Sequence, residues 1–118
     1  MKRFIVMGKY SQDFLMGLMY TPQDRVKASS AMMKKAGIEW AKGESYLHIN
    51  HPDFDFMGIV YAKNDETMKA SGDMMRASGN WDKFNFYRAW LPEEYTKISK
   101  EASELVGSYV PPSEYKEN

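Results

Sequence analysis

The sequence predicts an α+β fold whose strands and helices follow the order β-α-β-β-α-β, with one more helix at the C-terminal end. Three observations predict it. Two short segments, Phe4–Met7 and Phe54–Tyr61, are apolar on both of their alternating faces, as strands covered on two sides are. Two helical segments each run into a glycine, Gly37 and Gly79, the usual residue just past a helix end. The whole chain is 118 residues, which allows one domain.

Residues 3–10 form the first predicted strand, with Phe4 and Val6 on one face and Ile5 and Met7 on the other. Residues 11–20 predict a partly helical loop, because Ser11 offers a cap to Phe14, Leu15, Leu18 and Met19 but Gly17 weakens the turn. The first full helix opens with Thr21 as N-cap and Pro22 at its first position, and runs to Ala36. Its expected buried stripe is Val26, Ser29, Ser30 and Met33. A second strand spans Ile38–Ile49 with a bend at Gly43, and Asn50-His51-Pro52-Asp53 makes the turn after it. The third strand, Phe54–Ala62, leads to a helix capped by Asn64 or Asp65 that presents Met68, Ser71, Met74 and Met75 to the core. The fourth strand covers Trp81–Trp90.

Pro92 opens the added helix, whose apolar stripe is Tyr95, Ile98, Ala102, Leu105 and Tyr109. Residues 1–91 are thus expected as the domain, and 92–118 as its helical extension and polar tail. This element order is that of the ferredoxin-like, split βαβ arrangement, an antiparallel sheet carrying both helices on one face. The other sheet face is too apolar to meet water, and a second copy would cover it. The expected assembly is therefore a dimeric α/β barrel, a homodimer or a higher homo-oligomer.

Lys and Arg total 16 and Asp and Glu total 16, so there is no cationic excess with which to bind nucleic acid. No apolar run is long enough to span a membrane. Lys2 and Arg3 precede Phe4–Met7, but Gly8-Lys9-Tyr10 ends that run too early for a signal peptide, and the expected setting is cytoplasmic. The chain has no cysteine, which excludes disulfides, thiolate nucleophiles and thiolate-held metals. Phosphate-binding glycine loops, Gly-x-Ser-x-Gly elbows and His-Glu-x-x-His motifs do not occur. No cofactor is expected. The ten methionines, including the pairs Met32-Met33 and Met74-Met75, predict flexible core packing and suit an adaptable apolar pocket.

Thr21-Pro22-Gln23-Asp24-Arg25, Lys35-Ala36-Gly37-Ile38, Asp53-Phe54-Asp55, Asn64-Asp65-Glu66 and Ala77-Ser78-Gly79 together resemble the GYD-domain family of small dimeric α/β-barrel proteins. The likeness covers Phe4 to about Tyr87. The family's Gly-Tyr-Asp triplet is here Asp53-Phe54-Asp55, and the C-terminal helix is an addition. YCII-related proteins are a second, weaker likeness, since their Asp-Gly-Pro-Phe segment is missing. The resemblance implies a fold and a pocket, in a superfamily that includes cofactor-independent monooxygenases, isomerases and cyclases. It does not imply a reaction.

His48 and His51, with Asp53 and Asp55, are the densest group of potential ligands. They suit acid–base chemistry or a two-His-one-carboxylate metal site, and they equally suit an ordinary turn with local backbone bonds. Strand alternation separates the two histidines, and no metal is expected. Arg88, in an aromatic strand with Asn85 and Tyr87, could hold a carboxylate or enolate oxygen, or could reach water at the strand end. Gly8 and Gly58 either open room for a ligand or admit a Ser or Met side chain from a helix.

Two functions follow. One is a cofactor-independent enzyme acting on a small apolar or aromatic carbonyl compound in the sheet–helix cleft. There His48 would move a proton and Tyr61 or Arg88 would stabilise negative charge, with Tyr10, Trp40, Asp55, Phe56 and Asn85 as ligand contacts. The other is a non-catalytic ligand-binding or interaction module.

Overall fold

The apolar run at the start of the chain forms the longest strand, β1 (Lys2–Tyr10), in a computed structural model that describes residues 1–117. Asn118, the last residue of the predicted polar tail, lies outside the described residues.

Residues 11–20, expected as a partly helical loop, are a complete helix, α1 (Gln12–Tyr20). Ser11 Oγ accepts the Phe14 N–H at 3.2 Å and supplies the missing terminal acceptor. Phe14 and Leu18 pack against the core, and that burial outweighs the cost of Gly17. The next helix, α2 (Arg25–Ala36), begins later than Pro22. Asp24 is its N-cap, with Oδ1 accepting from the Val26 and Lys27 N–H groups, whereas Thr21 closes α1 by donating to Gly17. Gly37 ends α2 in the left-handed region at φ 73°, as its position predicts.

The predicted strand Ile38–Ile49 is broken in two, β2 (Glu39–Trp40) and β3 (Tyr46–His48). Both lie along the same neighbour, β4 (Phe56–Ala62). Ala41 donates to Ile59 O at 2.9 Å and Ile59 donates to Ser45 O at 2.8 Å, so residues 41–45 bulge out opposite one residue. Helix α3 (Asp65–Ala77) is capped by Asn64, and β5 (Trp81–Arg88) follows.

The strand order is β2-β4-β1-β5, with β3 also on β4, and every pairing is antiparallel. Each helical connection passes over one strand before rejoining the sheet. The α+β class and the antiparallel sheet are therefore as the sequence predicts; the sheet is open, and its order is compatible with the ferredoxin-like arrangement.

One sheet face holds the core. Phe4, Val6, Phe56 and Val60 are buried there against Met33 of α2 and Met68 of α3. The α2 stripe takes Met32 in place of the expected Ser30, which is exposed. In α3, Gly72 is buried instead of Met74, because Phe84 fills the space above it. The opposite face carries Ile5, Met7, Met57 and Ile59, all half-exposed, with Leu47 and Tyr87 exposed.

The last helix, α4 (Pro92–Ser103), leaves the end of β5 and projects. Its tie to the sheet is the Glu94 carboxylate, which accepts from Arg3 and from the Leu91 N–H. A stripe at this helical spacing is expected to dock on the domain or on a partner subunit, and within the chain it does not dock. Tyr95, Leu105 and Tyr109 are 58, 64 and 72 % exposed. The molecule is consequently 66 Å long and 28 × 25 Å across, with a radius of gyration of 19.1 Å. A compact chain of this length would have about 13.5 Å. No helix among the described residues is long and apolar enough to cross a membrane.

Candidate functional site

Between the core face of the sheet and helices α1–α3 lies a cavity of about 250 Å³. Phe56, Trp81 and Phe84 form its aromatic wall, and Met32, Met74 and Met75 line the helical side. Methionine side chains adapt to irregular occupants, so this wall suits a small apolar ring.

Two glycines shape the aromatic wall. A Cβ on Gly8 would stand 2.5 Å from Phe56 Cε1 and 2.9 Å from Trp81 Cζ3, and one on Gly58 would stand 2.8 Å from Trp40 Cζ3. The space over both strands is thus taken by aromatic rings, not by the Ser or Met side chain expected from a helix. Trp40 is thereby laid against the sheet as part of the cavity wall. Its Nε1 is buried with no hydrogen-bond partner.

At one end of the cavity the Tyr10 and Tyr46 hydroxyls meet at 2.6 Å. Both rings lie nearly parallel to Phe56, at centroid distances of 6.2 and 4.8 Å. Burial pushes both phenols above their ordinary pKa, and for Tyr46 the bond to Tyr10 adds to the rise. Both therefore stay protonated at neutral pH.

The predicted ligand residues divide. Trp40 and Phe56 line the cavity, and Tyr10 is joined to its wall through Tyr46. Asp55 plays a backbone role: Oδ2 accepts the Tyr10 N–H at 2.9 Å, while its own N–H donates to Gly8 O at 2.8 Å. Asn85 pairs with Met7 in register, on the open face, and donates to Tyr87 Oη.

The three predicted catalytic residues are not brought together. His48 is exposed on β3, with its ring 5.3 Å from Tyr46 and 6.2 Å from Tyr10. Tyr61 faces the open side, with Arg3 5.5 Å over its ring. Arg88 pairs with Phe4 at the far end of β5, donates to Arg3 O, and lies over the Phe4 and Trp90 rings. In the turn, His51 Nδ1 accepts the Asp53 N–H and Asp53 faces Lys83 at 3.8 Å. No group of three His, Asp or Glu side chains among the described residues is arranged to hold a metal ion.

Sequence reasoning missed Arg25 and Phe14. Arg25 lines the cavity, and its guanidinium lies 5.0 Å over the Phe14 ring. The signal was present in the helical spacing, since Arg25 precedes Ser29, Met32 and Met33 on one face of α2. No family model, curated protein or solved structure matches this chain.

Proposed function

We propose that this protein binds a small apolar or aromatic carbonyl compound in the sheet–helix cavity, as a dimeric α/β barrel of the GYD kind. The observation that carries the reading is the cavity of about 250 Å³, walled by methionine and aromatic side chains over the sheet core. An engineered apolar cavity of about 150 Å³ takes benzene, so this one has room for a substituted ring. The half-exposed apolar face of Ile5, Met7, Met57 and Ile59 supports pairing with a second copy. Any chemistry would fall to His48, which stands beside the Tyr10–Tyr46 pair without Tyr61 or Arg88 for company. Binding without turnover is the reading we favour.

A second reading, an interaction module, is favoured by the projecting C-terminal arm with its exposed Tyr95, Leu105 and Tyr109. Native mass spectrometry of the purified protein tests both. The expected result is twice the 13.7 kDa chain mass, with a small organic molecule released on denaturation. A ligand-free 13.7 kDa monomer would end both proposals.

A further inference from the structure

The cavity lining is mainly apolar, with Tyr46, Ser29, Ser71, Ser78 and Asn80 among it, and two of its residues, Arg25 and Trp40, carry unused donors. Arg25 is the one charged side chain on its lining among the described residues. It enters none of the ion pairs formed among them. The neighbouring carboxylate of Asp24 is occupied in capping α2 through the Val26 and Lys27 N–H groups. Arg25 is nonetheless held in place: Nη1 donates to Gln23 Oε1 at 2.6 Å, and the guanidinium stacks over Phe14. One of its five N–H groups is used and the rest of the fork is free for an acceptor.

The second unused donor is Trp40 Nε1, a donor-only group that is buried with no acceptor. Its six-membered ring is the part fixed over Gly58, and Nε1 belongs to the opposite edge of the indole. The hydroxyls nearby are satisfied. Tyr10 and Tyr46 satisfy each other through their hydroxyls, and Ser29 Oγ and Ser71 Oγ donate to the helix carbonyls of Val26 and Thr67. The lining thus has one cation and no anion, and one of its wall residues, Trp40, carries a buried N–H without an acceptor.

Resting on the reading of this cavity as a ligand site, we propose that its ligand is a small planar carboxylic acid in ionised form. The carboxylate takes the free donors of Arg25. A carbonyl or ether oxygen elsewhere on the molecule accepts from Trp40 Nε1. The apolar ring between them lies against Phe56, Trp81 and Phe84, with Met32, Met74 and Met75 closing over it. Since the whole chain carries a formal charge of zero, preference for an anion is a property of Arg25 and not of a general field.

The test uses the full chain labelled with ¹⁵N and its three tryptophan indole resonances, Trp40 being assigned by its loss in Trp40→Phe. The probes are 4-methoxybenzoate and 6-methoxy-2-naphthoate at neutral pH, each compared with its neutral carboxamide. The expected result is a saturable shift of the Trp40 indole N–H. The acid should bind about tenfold tighter than its amide, as a charge-assisted bond allows. Arg25→Gln should erase that preference, bringing acid and amide to equal affinity, and Arg25→Lys should keep part of it if the Gln variant fails to fold. Amides that bind as tightly as acids, or acid affinity indifferent to both Arg25 variants, would overturn the carboxylate proposal while leaving the cavity a ligand site. Failure of acid and amide alike to move Trp40 or the cavity methionine methyls would remove the ligand-site reading as well.

Discussion

Tyr10 and Tyr46 stand on strands that do not touch, yet their hydroxyls meet at 2.6 Å across the intervening strand β4. Gly58 and Phe56 lie beneath them in that strand, and the lack of a side chain at Gly58 leaves room for the aromatic layer above it.

The bond between the two hydroxyls makes an asymmetric prediction. Tyr46→Phe or Tyr10→Phe alone leaves the other hydroxyl without its partner, at a cost of about 1–3 kcal/mol. Replacing both removes the donor and the acceptor together. The double variant should therefore be more stable than the sum of the single losses predicts, by denaturant unfolding of all four proteins. Strict additivity would show that the bond contributes no coupling.

The same pair sets the alkaline limit. Both phenols have folded pKa values above the ordinary value of about 10, so the fold binds protons more tightly than the unfolded chain. Their contribution is whole below that pH and is lost as pH rises beyond it toward the folded values. Stability should fall above about pH 10, less steeply in Tyr46→Phe, with unfolding followed at several alkaline pH values.

Glycine substitutions should differ in sign. Gly8→Ala drives a methyl group into the ring edges of buried Phe56 and half-buried Trp81, and overpacking costs about 1–3 kcal/mol. Gly17→Ala meets nothing within 4 Å in α1 and should stabilise by roughly 0.5–1 kcal/mol. Thermal melts of the two variants compare them directly.

At the other end of the sheet, the Leu91 N–H and Arg3 guanidinium hold the Glu94 carboxyl below its ordinary pKa. A depressed carboxylate contributes stability above its unfolded pKa and loses it as pH falls through the folded one. The first turn of α4 should therefore stay attached at mildly acidic pH and loosen only in strong acid. An NMR titration of Glu94 and the Leu91 amide would check this, and a Glu94 midpoint at the value for a free glutamate would contradict it.

Removal of residues 93–118 should leave the sheet domain folded, because the packed core uses none of them. It should weaken self-association, which sedimentation equilibrium of the two proteins would measure. An unchanged association constant would exclude the arm from the interface.

The framework was legible in the sequence wherever periodicity and capping agreed. Phe4–Met7 and Phe54–Ala62 read as strands because both of their faces are apolar, although the second strand starts only at Phe56. Gly37 and the pair Asn64-Asp65 marked helix ends by backbone chemistry that works locally, and Asn64 is the one that caps. The misplacements have the opposite cause. The Thr21-Pro22 signal competes with Asp24 two residues later, and the carboxylate, which reaches two N–H groups, wins. Gly17 hid α1 because its stability comes from Phe14 and Leu18 on a distant core. The site was half legible: Trp40 and Phe56 are aromatic in strand segments, whereas the value of Arg25 depends on Phe14 lying beneath it in space. The separation of His48, Tyr61 and Arg88 depends on strand register and on which end of the sheet each occupies, and residue type carries neither.

The 66 Å outline also governs how the protein moves through solvent. A sphere of this mass has little friction, but a rod-like projection drags water along its length and slows diffusion and tumbling. The single chain should elute from a sizing column ahead of globular standards of its own mass. Two chains that lay their arms along each other would gain mass while losing relative length. Their elution would differ from that of one chain by much less than a doubling of mass suggests.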